Sequence, residues 1–155
     1  MDKLPGSMGT SAGLVLRVGQ AVFSVGSVLF MCYDVSFFIS SDAPFWFLVT
    51  TMGLVTPWSL GLAMIDAYLM LAKRPSNKPR VLSAVVIGDW VLSVLSLAVS
   101  CSTASVADYL IAYGSADCTN GICGRYQLSA AMAFLTWIFL LVSLLFNLWF
   151  LPTLY

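Results

Sequence analysis

The amino-acid sequence predicts an all-α membrane protein, a four-transmembrane-helix bundle that occupies residues 1–155 as one domain. Three observations lead to this fold class. Hydrophobic residues make up 60% of the 155 residues and charged residues only 9%, whereas soluble domains average about 25% charged residues. The mean hydropathy is +0.94. Four apolar segments are each long enough to cross a bilayer as a helix, which takes about 20 residues.

The four predicted spans follow one another with short connections. They cover residues 12–39, 45–71, 81–113 and 128–151. Helices are the expected conformation because an open strand would leave its backbone groups unpaired in lipid. The first apolar stretch is too long for the hydrophobic region of a signal peptide, so we expect it to be retained as a span.

The charges of the connections predict the direction of the spans. The connection at residues 40–44 has no basic residue, and the connection at residues 114–127 has only Arg125. The connection at residues 72–80 has four: Lys73, Arg74, Lys78 and Arg80. Because basic connections stay on the inner side of a membrane, residues 72–80 are predicted to be cytoplasmic. Four spans then place both termini in the cytoplasm.

The composition argues against several classes of function. The chain has no histidine and no glutamate, and its formal net charge is zero. The commonest general base and metal ligand is therefore missing, and no nucleophile–base pair can be assembled. We expect no enzymatic activity, no metal site, no cofactor and no nucleic-acid partner.

Three charged residues lie deep inside the apolar spans: Arg17, Asp66 and Asp89. Asp34 and Asp108 lie near the predicted outer ends of their spans. A single charge in the middle of a membrane costs about 2.5–3.5 kcal/mol, so we expect these charges to pair. All three fall in the predicted inner half of the bilayer. Arg17 is therefore expected to meet Asp89, Asp66 or both, and its planar guanidinium can donate two hydrogen bonds to one carboxylate.

This charge cluster has two interpretations. In the structural one, an ion pair determines which helices are neighbours, with or without a gain in stability. In the functional one, the charges belong to a proton or ion path, which usually needs polar groups along more of its length. We prefer the structural interpretation.

Span three carries a row of hydroxyl residues on the same face as Asp89, at spacings of three and four residues: Ser93, Ser96, Ser100 and Thr103. Such a row either lines a wet cavity or lets two helices approach closely and bond to each other. The second case is the more common, and we expect it here.

Two cysteines, Cys118 and Cys123, flank the turn-forming Asn120-Gly121 in the predicted outer connection. An oxidising exterior and this turn favour a local disulfide between them. Two free thiols or a link between two chains are the alternatives. Cys32 and Cys101 fall within spans, where cysteine usually serves as a small apolar residue.

The motifs around the two central charges resemble those of a known family. They are Gly-Leu-Val-Leu-Arg at residues 13–17 and Ile-Gly-Asp-Trp at residues 87–90. Both resemble the CASP-like relatives of the Casparian strip membrane domain proteins of plants, which are distantly similar to MARVEL proteins. Residues 63–68, with the basic connection that follows, look like the fifth CASP-like subfamily. The resemblance implies that Arg17 and Asp89 are the family's signature charges.

The resemblance also implies a function. Family members are plasma-membrane proteins that self-associate, and the strip-forming members build an immobile platform that fences the membrane and organises local cell-wall modification. The short outer connection at residues 40–44 lacks the longer signature of those members, which argues against a role in the endodermal barrier itself. We therefore predict a membrane scaffold in contact with lipids, as a homo-oligomer or with related four-span proteins. The alternative is a small channel or a proton- or ion-coupled transporter that uses Arg17, Asp66 and Asp89.

Overall fold

The computed structural model describes residues 10–32, 43–72, 79–113 and 122–150, and these residues form four α-helices. The helices are α1 (Ser11–Cys32), α2 (Ala43–Leu71), α3 (Pro79–Ala112) and α4 (Ile122–Phe150). No strand occurs in these ranges. Each helix contains a stretch that is long and apolar enough to cross a membrane. The predicted all-α, four-span fold class is confirmed.

The helix bounds differ from the predicted spans mainly at α4, which begins at Ile122 rather than Leu128. The added turns carry Arg125 and Gln127, whose polarity ended the apolar pattern. Polar residues do not oppose a helix at a membrane interface, where the side chains still reach water. Residues 33–39 of the predicted first span lie outside the described part of the chain.

The four helices form an antiparallel bundle. α1 packs against both α2 and α4, α3 packs against α4, and the interface between α2 and α3 is the smallest of these. Short connections make consecutive helices antiparallel, so α1 and α3 run parallel and lie diagonally opposite each other. We call the end at which α2 ends and α3 begins the basic end, because the basic connection joins the two helices there.

The bundle buries polar side chains and exposes large apolar ones. Among the described residues, as many polar as apolar side chains are buried. Large apolar side chains cover the outside of every helix, including Val15, Met64, Trp90 and Trp149 at 66%, 74%, 59% and 77% exposure. Such a surface is stable in lipid, because lipid tails solvate apolar side chains and offer no hydrogen-bond partners to polar ones. Polar side chains are therefore more stable inside the bundle, where they can bond to one another.

An apolar cluster fills the bundle towards the end opposite the basic end. Every helix contributes to it, through Met31 of α1, Phe45, Leu48 and Met52 of α2, Val99 of α3 and Ala133 of α4. The ring of Tyr126 packs on this cluster, with its centroid 4.7 Å from that of Phe45. All four helices therefore contribute apolar side chains to the core in this part of the bundle.

Candidate functional site

A fully buried ion pair crosses the bundle axis. Arg17 Nη1 donates to Asp89 Oδ1 and Nη2 donates to Oδ2, both at 2.7 Å. The side chains are 2% and 0% exposed. This two-point geometry is the strongest form of a charge-assisted hydrogen bond, because both carboxylate oxygens are matched by the planar guanidinium. The pair joins α1 to α3, which are diagonal helices with little other contact.

A tryptophan of α2 completes the partners of the carboxylate. Trp58 Nε1 donates to Asp89 Oδ1 at 3.0 Å. The indole ring reaches this position over Gly88, where an added Cβ would lie 2.7 Å from Trp58 Cη2 and closer still to Cζ2. Glycine is thus the residue that lets the ring pass, and the Gly-Asp sequence of α3 provides both the acceptor and the space for its donor.

Gln20, one turn along α1 from Arg17, ties two further helices to this site. Its side-chain Nε2 donates to the carbonyl oxygen of Phe139 in α4 at 3.1 Å. Its Oε1 accepts from Ser59 Oγ of α2 at 3.0 Å and lies 3.5 Å from Arg17 Nη1. The ion pair, Trp58 and Gln20 together form one polar network that includes all four helices. We call it the central network.

Two hydroxyl contacts continue from the central network away from the basic end. Ser24 Oγ lies 2.9 Å from Thr56 Oγ1, which links α1 to α2. One turn further, Ser27 Oγ donates to the carbonyl oxygen of Ser129 at 3.0 Å, and Ser129 Oγ donates back to that of Ser27 at 2.8 Å. Small hydroxyl side chains allow this close approach of α1 and α4, and the exchanged hydrogen bonds satisfy both groups.

Of the two carboxylates that the sequence left open, Arg17 contacts Asp89. Asp66 is also buried, at 2% exposure, and has an interaction of its own. It lies seven residues nearer the basic end than Ser59, about 10 Å along a helix. Arg17 lies three residues nearer that end than Gln20, about 4.5 Å by the same rise. Asp66 therefore lies about 6 Å, or roughly one helical turn, nearer the basic end than Arg17, which keeps its carboxylate away from the guanidinium.

The hydroxyl row of α3 faces the inside of the bundle. Its members are buried, with exposures of 4%, 0%, 0% and 0%: Ser93, Ser96, Ser100 and Thr103. Ser100 Oγ donates to the carbonyl oxygen of Ser96 at 2.7 Å. Ser96 Oγ and Thr103 Oγ1 have no hydrogen-bond partner among the described residues.

The predicted Cys118–Cys123 disulfide lies outside the described residues, since Cys118 falls in residues 114–121 and the side chain of Cys123 is not described. Within the described ranges no disulfide is formed, and Cys32 and Cys101 are free thiols. The same ranges contain no group of three side chains that could hold a metal ion.

Sequence reasoning missed Gln20, Ser24, Ser27 and Trp58. The first three continue from Arg17 at spacings of three, four and three residues, the same helical periodicity that revealed the hydroxyl row of α3. That signal was available in the sequence. Trp58 gave none, because its role depends on how closely α2 approaches Gly88.

Fold and site together define a class: a four-span membrane protein whose diagonal helices are joined by a buried arginine–aspartate pair. The Casparian strip membrane protein domain matches residues 6–139, a range that contains both charges. The chain belongs to the CASP-like protein family.

The relatives cover nearly the whole chain. CASP-like protein 5C1 of Oryza sativa subsp. japonica is 55% identical over 148 residues, which are 96% of this chain and 94% of that protein. CASP-like protein 5C3 of Arabidopsis thaliana is 51% identical over 154 residues, 99% of each chain. CASP-like protein 5A1 of Selaginella moellendorffii is 42% identical over 153 residues, 99% of this chain and 85% of its own. No solved structure matches.

Proposed function

We propose that the chain is a non-enzymatic, self-associating scaffold of the plasma membrane. The observation that carries this proposal is the two-point Arg17–Asp89 pair, whose carboxylate accepts a third hydrogen bond from Trp58. Charges that are fully partnered and buried suit a fixed architecture, whereas a transport site has to exchange its partners. A rigid bundle is the unit that a membrane platform needs.

The apolar cluster argues against the alternative function as a channel or transporter. A conducting path needs polar groups or water along its whole length. Along α1 the polar contacts extend from Arg17 to the Ser27–Ser129 pair, and Met31 of the apolar cluster lies about one turn beyond Ser27. A path through this cluster would require its side chains to separate.

The outer surface supports self-association. Each helix presents large apolar side chains that either lipid tails or a second bundle can cover. We propose that copies of the chain, or related four-span proteins, meet through this surface. We further propose that both termini lie in the cytoplasm and that Cys118 and Cys123 form a disulfide on the cell-wall side. In this proposal the assembly organises membrane subdomains and local wall modification.

Assembly and mobility in a membrane test the proposal. The full chain with a fluorescent tag is expected to form clusters of several copies by stepwise photobleaching. It should also recover more slowly after photobleaching than a monomeric four-span protein of similar mass. In parallel, vesicles that contain the purified chain should show no ion or proton flux above empty vesicles. Single-copy, freely diffusing protein would contradict the scaffold, and a flux that depends on Asp89 would favour the transporter.

A further inference from the structure

Two buried hydroxyls of α3 stand apart from the otherwise satisfied interior. Ser96 Oγ and Thr103 Oγ1 are enclosed by the bundle and have no hydrogen-bond partner among the described residues. A buried hydroxyl without a partner is costly, so each side chain is expected to find an acceptor or to bind something that supplies one. The surroundings of the two hydroxyls differ, and this difference determines what each can bind.

Ser96 lies at the level of other hydroxyls. α1 and α3 run parallel and are aligned by the Arg17–Asp89 pair. Ser24 follows Arg17 by seven residues and Ser96 follows Asp89 by seven residues, so the two serines lie at the same depth. Ser24 is in contact with a hydroxyl of α2, Thr56, at 2.9 Å.

α4 adds a hydroxyl near this level. The contacts of Gln20 with Phe139 and of Ser27 with Ser129 fix how α4 lies along α1. Thr136 falls between those two contacts and is fully buried. Each of the four helices thus brings one hydroxyl to within about one turn of the same depth, directly beyond the central network.

The free donors and acceptors of these hydroxyls match those of one water molecule. Thr136 Oγ1 donates its proton to the carbonyl oxygen of Met132 at 3.0 Å, and Thr56 Oγ1 donates to that of Met52 at 2.9 Å. A hydroxyl oxygen also has two acceptor positions. At this level Ser96 therefore has a proton to give, while Thr136 and Ser24 have lone pairs to receive one.

We propose that a single buried water molecule binds inside the bundle at the level of Ser24 and Ser96. The water accepts the proton of Ser96 Oγ and donates its own two protons to Thr136 Oγ1 and Ser24 Oγ. Three partners are typical of a buried water. The bound water links α3 to α1 and α4 at a second level, one and a half to two turns beyond the ion pair. The site does not depend on whether the chain self-associates.

Thr103 provides the contrast. It follows Asp89 by fourteen residues, as Met31 follows Arg17, so it lies at the depth of the apolar cluster. It also lies one turn beyond Val99 of that cluster. The Ser24–Thr56 contact places buried Thr51 of α2 within about one turn of this level, but Thr51 does not hydrogen-bond to Thr103. The Thr103 hydroxyl is expected to turn to the carbonyl oxygen of its own helix, as threonines inside helices do.

Two hydroxyl deletions of nearly constant shape test the proposal. In the full chain in lipid nanodiscs, Ser96→Ala is expected to lower Tm by about 2–4 °C, because the water loses its proton donor. Thr103→Val is expected to leave Tm unchanged or raise it. A wild-type structure at a resolution that resolves waters should show density between Ser96 and Thr136, and the Ser96→Ala structure should lack it. If Ser96→Ala leaves Tm unchanged or raises it, or if wild-type density is absent, the site does not exist.

Discussion

Replacing Arg17 with alanine is expected to remove most of the folded protein. The substitution leaves Asp89 buried, with the indole of Trp58 as its remaining donor. Breaking a buried pair by removing one partner costs about 3–5 kcal/mol, which is comparable to the whole stability of a small domain. In the intact bundle the Asp89 side chain is 0% exposed, so no solvent contact offsets the loss of the guanidinium unless the bundle rearranges.

The measurement is the fraction of detergent-extracted protein that elutes as one sharp species, together with its Tm. Arg80→Ala is the matched control, because Arg80 is an exposed arginine at the start of α3 and its removal should change neither quantity. Arg17→Lys keeps the charge but loses the planar two-point contact, so an intermediate loss is expected. A fully stable Arg17→Ala variant would show that the pair does not hold the bundle together.

Gly88→Ala is expected to cause the second-largest loss, although it adds only one methyl group. The new Cβ would overlap the Trp58 ring, whose nearest atoms cannot yield without moving the whole indole. Overpacking of this kind costs about 1–3 kcal/mol. Displacement of the ring also removes its hydrogen bond to Asp89, which adds to the loss.

Gly61→Ala is the control for this prediction, since an added Cβ at Gly61 meets nothing within 4 Å. Its Tm should equal or exceed that of the wild type. A double-mutant cycle isolates the clash: in a Trp58→Leu background, Gly88→Ala should have little further effect. Equal losses from Gly88→Ala with and without Trp58 would mean that the two residues do not interact.

The fold could be predicted because lipid imposes a simple requirement on the sequence. About 20 apolar residues are needed for each crossing, and four segments meet that length in a chain with few charges. The start of α4 was placed too late because Arg125 and Gln127 interrupt the apolar pattern while remaining helical. Hydropathy detects the part of a helix that lies in the apolar interior of the membrane, but it does not detect polar helical turns at the ends of that helix.

The candidate site could be predicted only in part. Arg17, Asp66 and Asp89 were conspicuous because a charge is rare in an apolar segment. The choice between the two carboxylates depends on the relative depth of four helices, a tertiary property that spacing along one helix does not contain. Trp58 was missed for the same reason, since its hydrogen bond to Asp89 depends on how closely α2 approaches α3. Gln20 could have been found from its spacing to Arg17, although its partners on α2 and α4 could not.

If the Arg17–Asp89 pair is an architectural contact, exchanging its two charges should preserve the bundle. Arg17→Asp combined with Asp89→Arg is expected to give more folded, slowly diffusing protein than either single variant. Recovery should be incomplete, because the Trp58 N–H would then face a cation. The opposite result would be an exchanged variant that yields no more folded protein than the single variants. If, in addition, vesicles with the wild type conduct ions or protons and vesicles with the variants do not, the charges belong to a transport path.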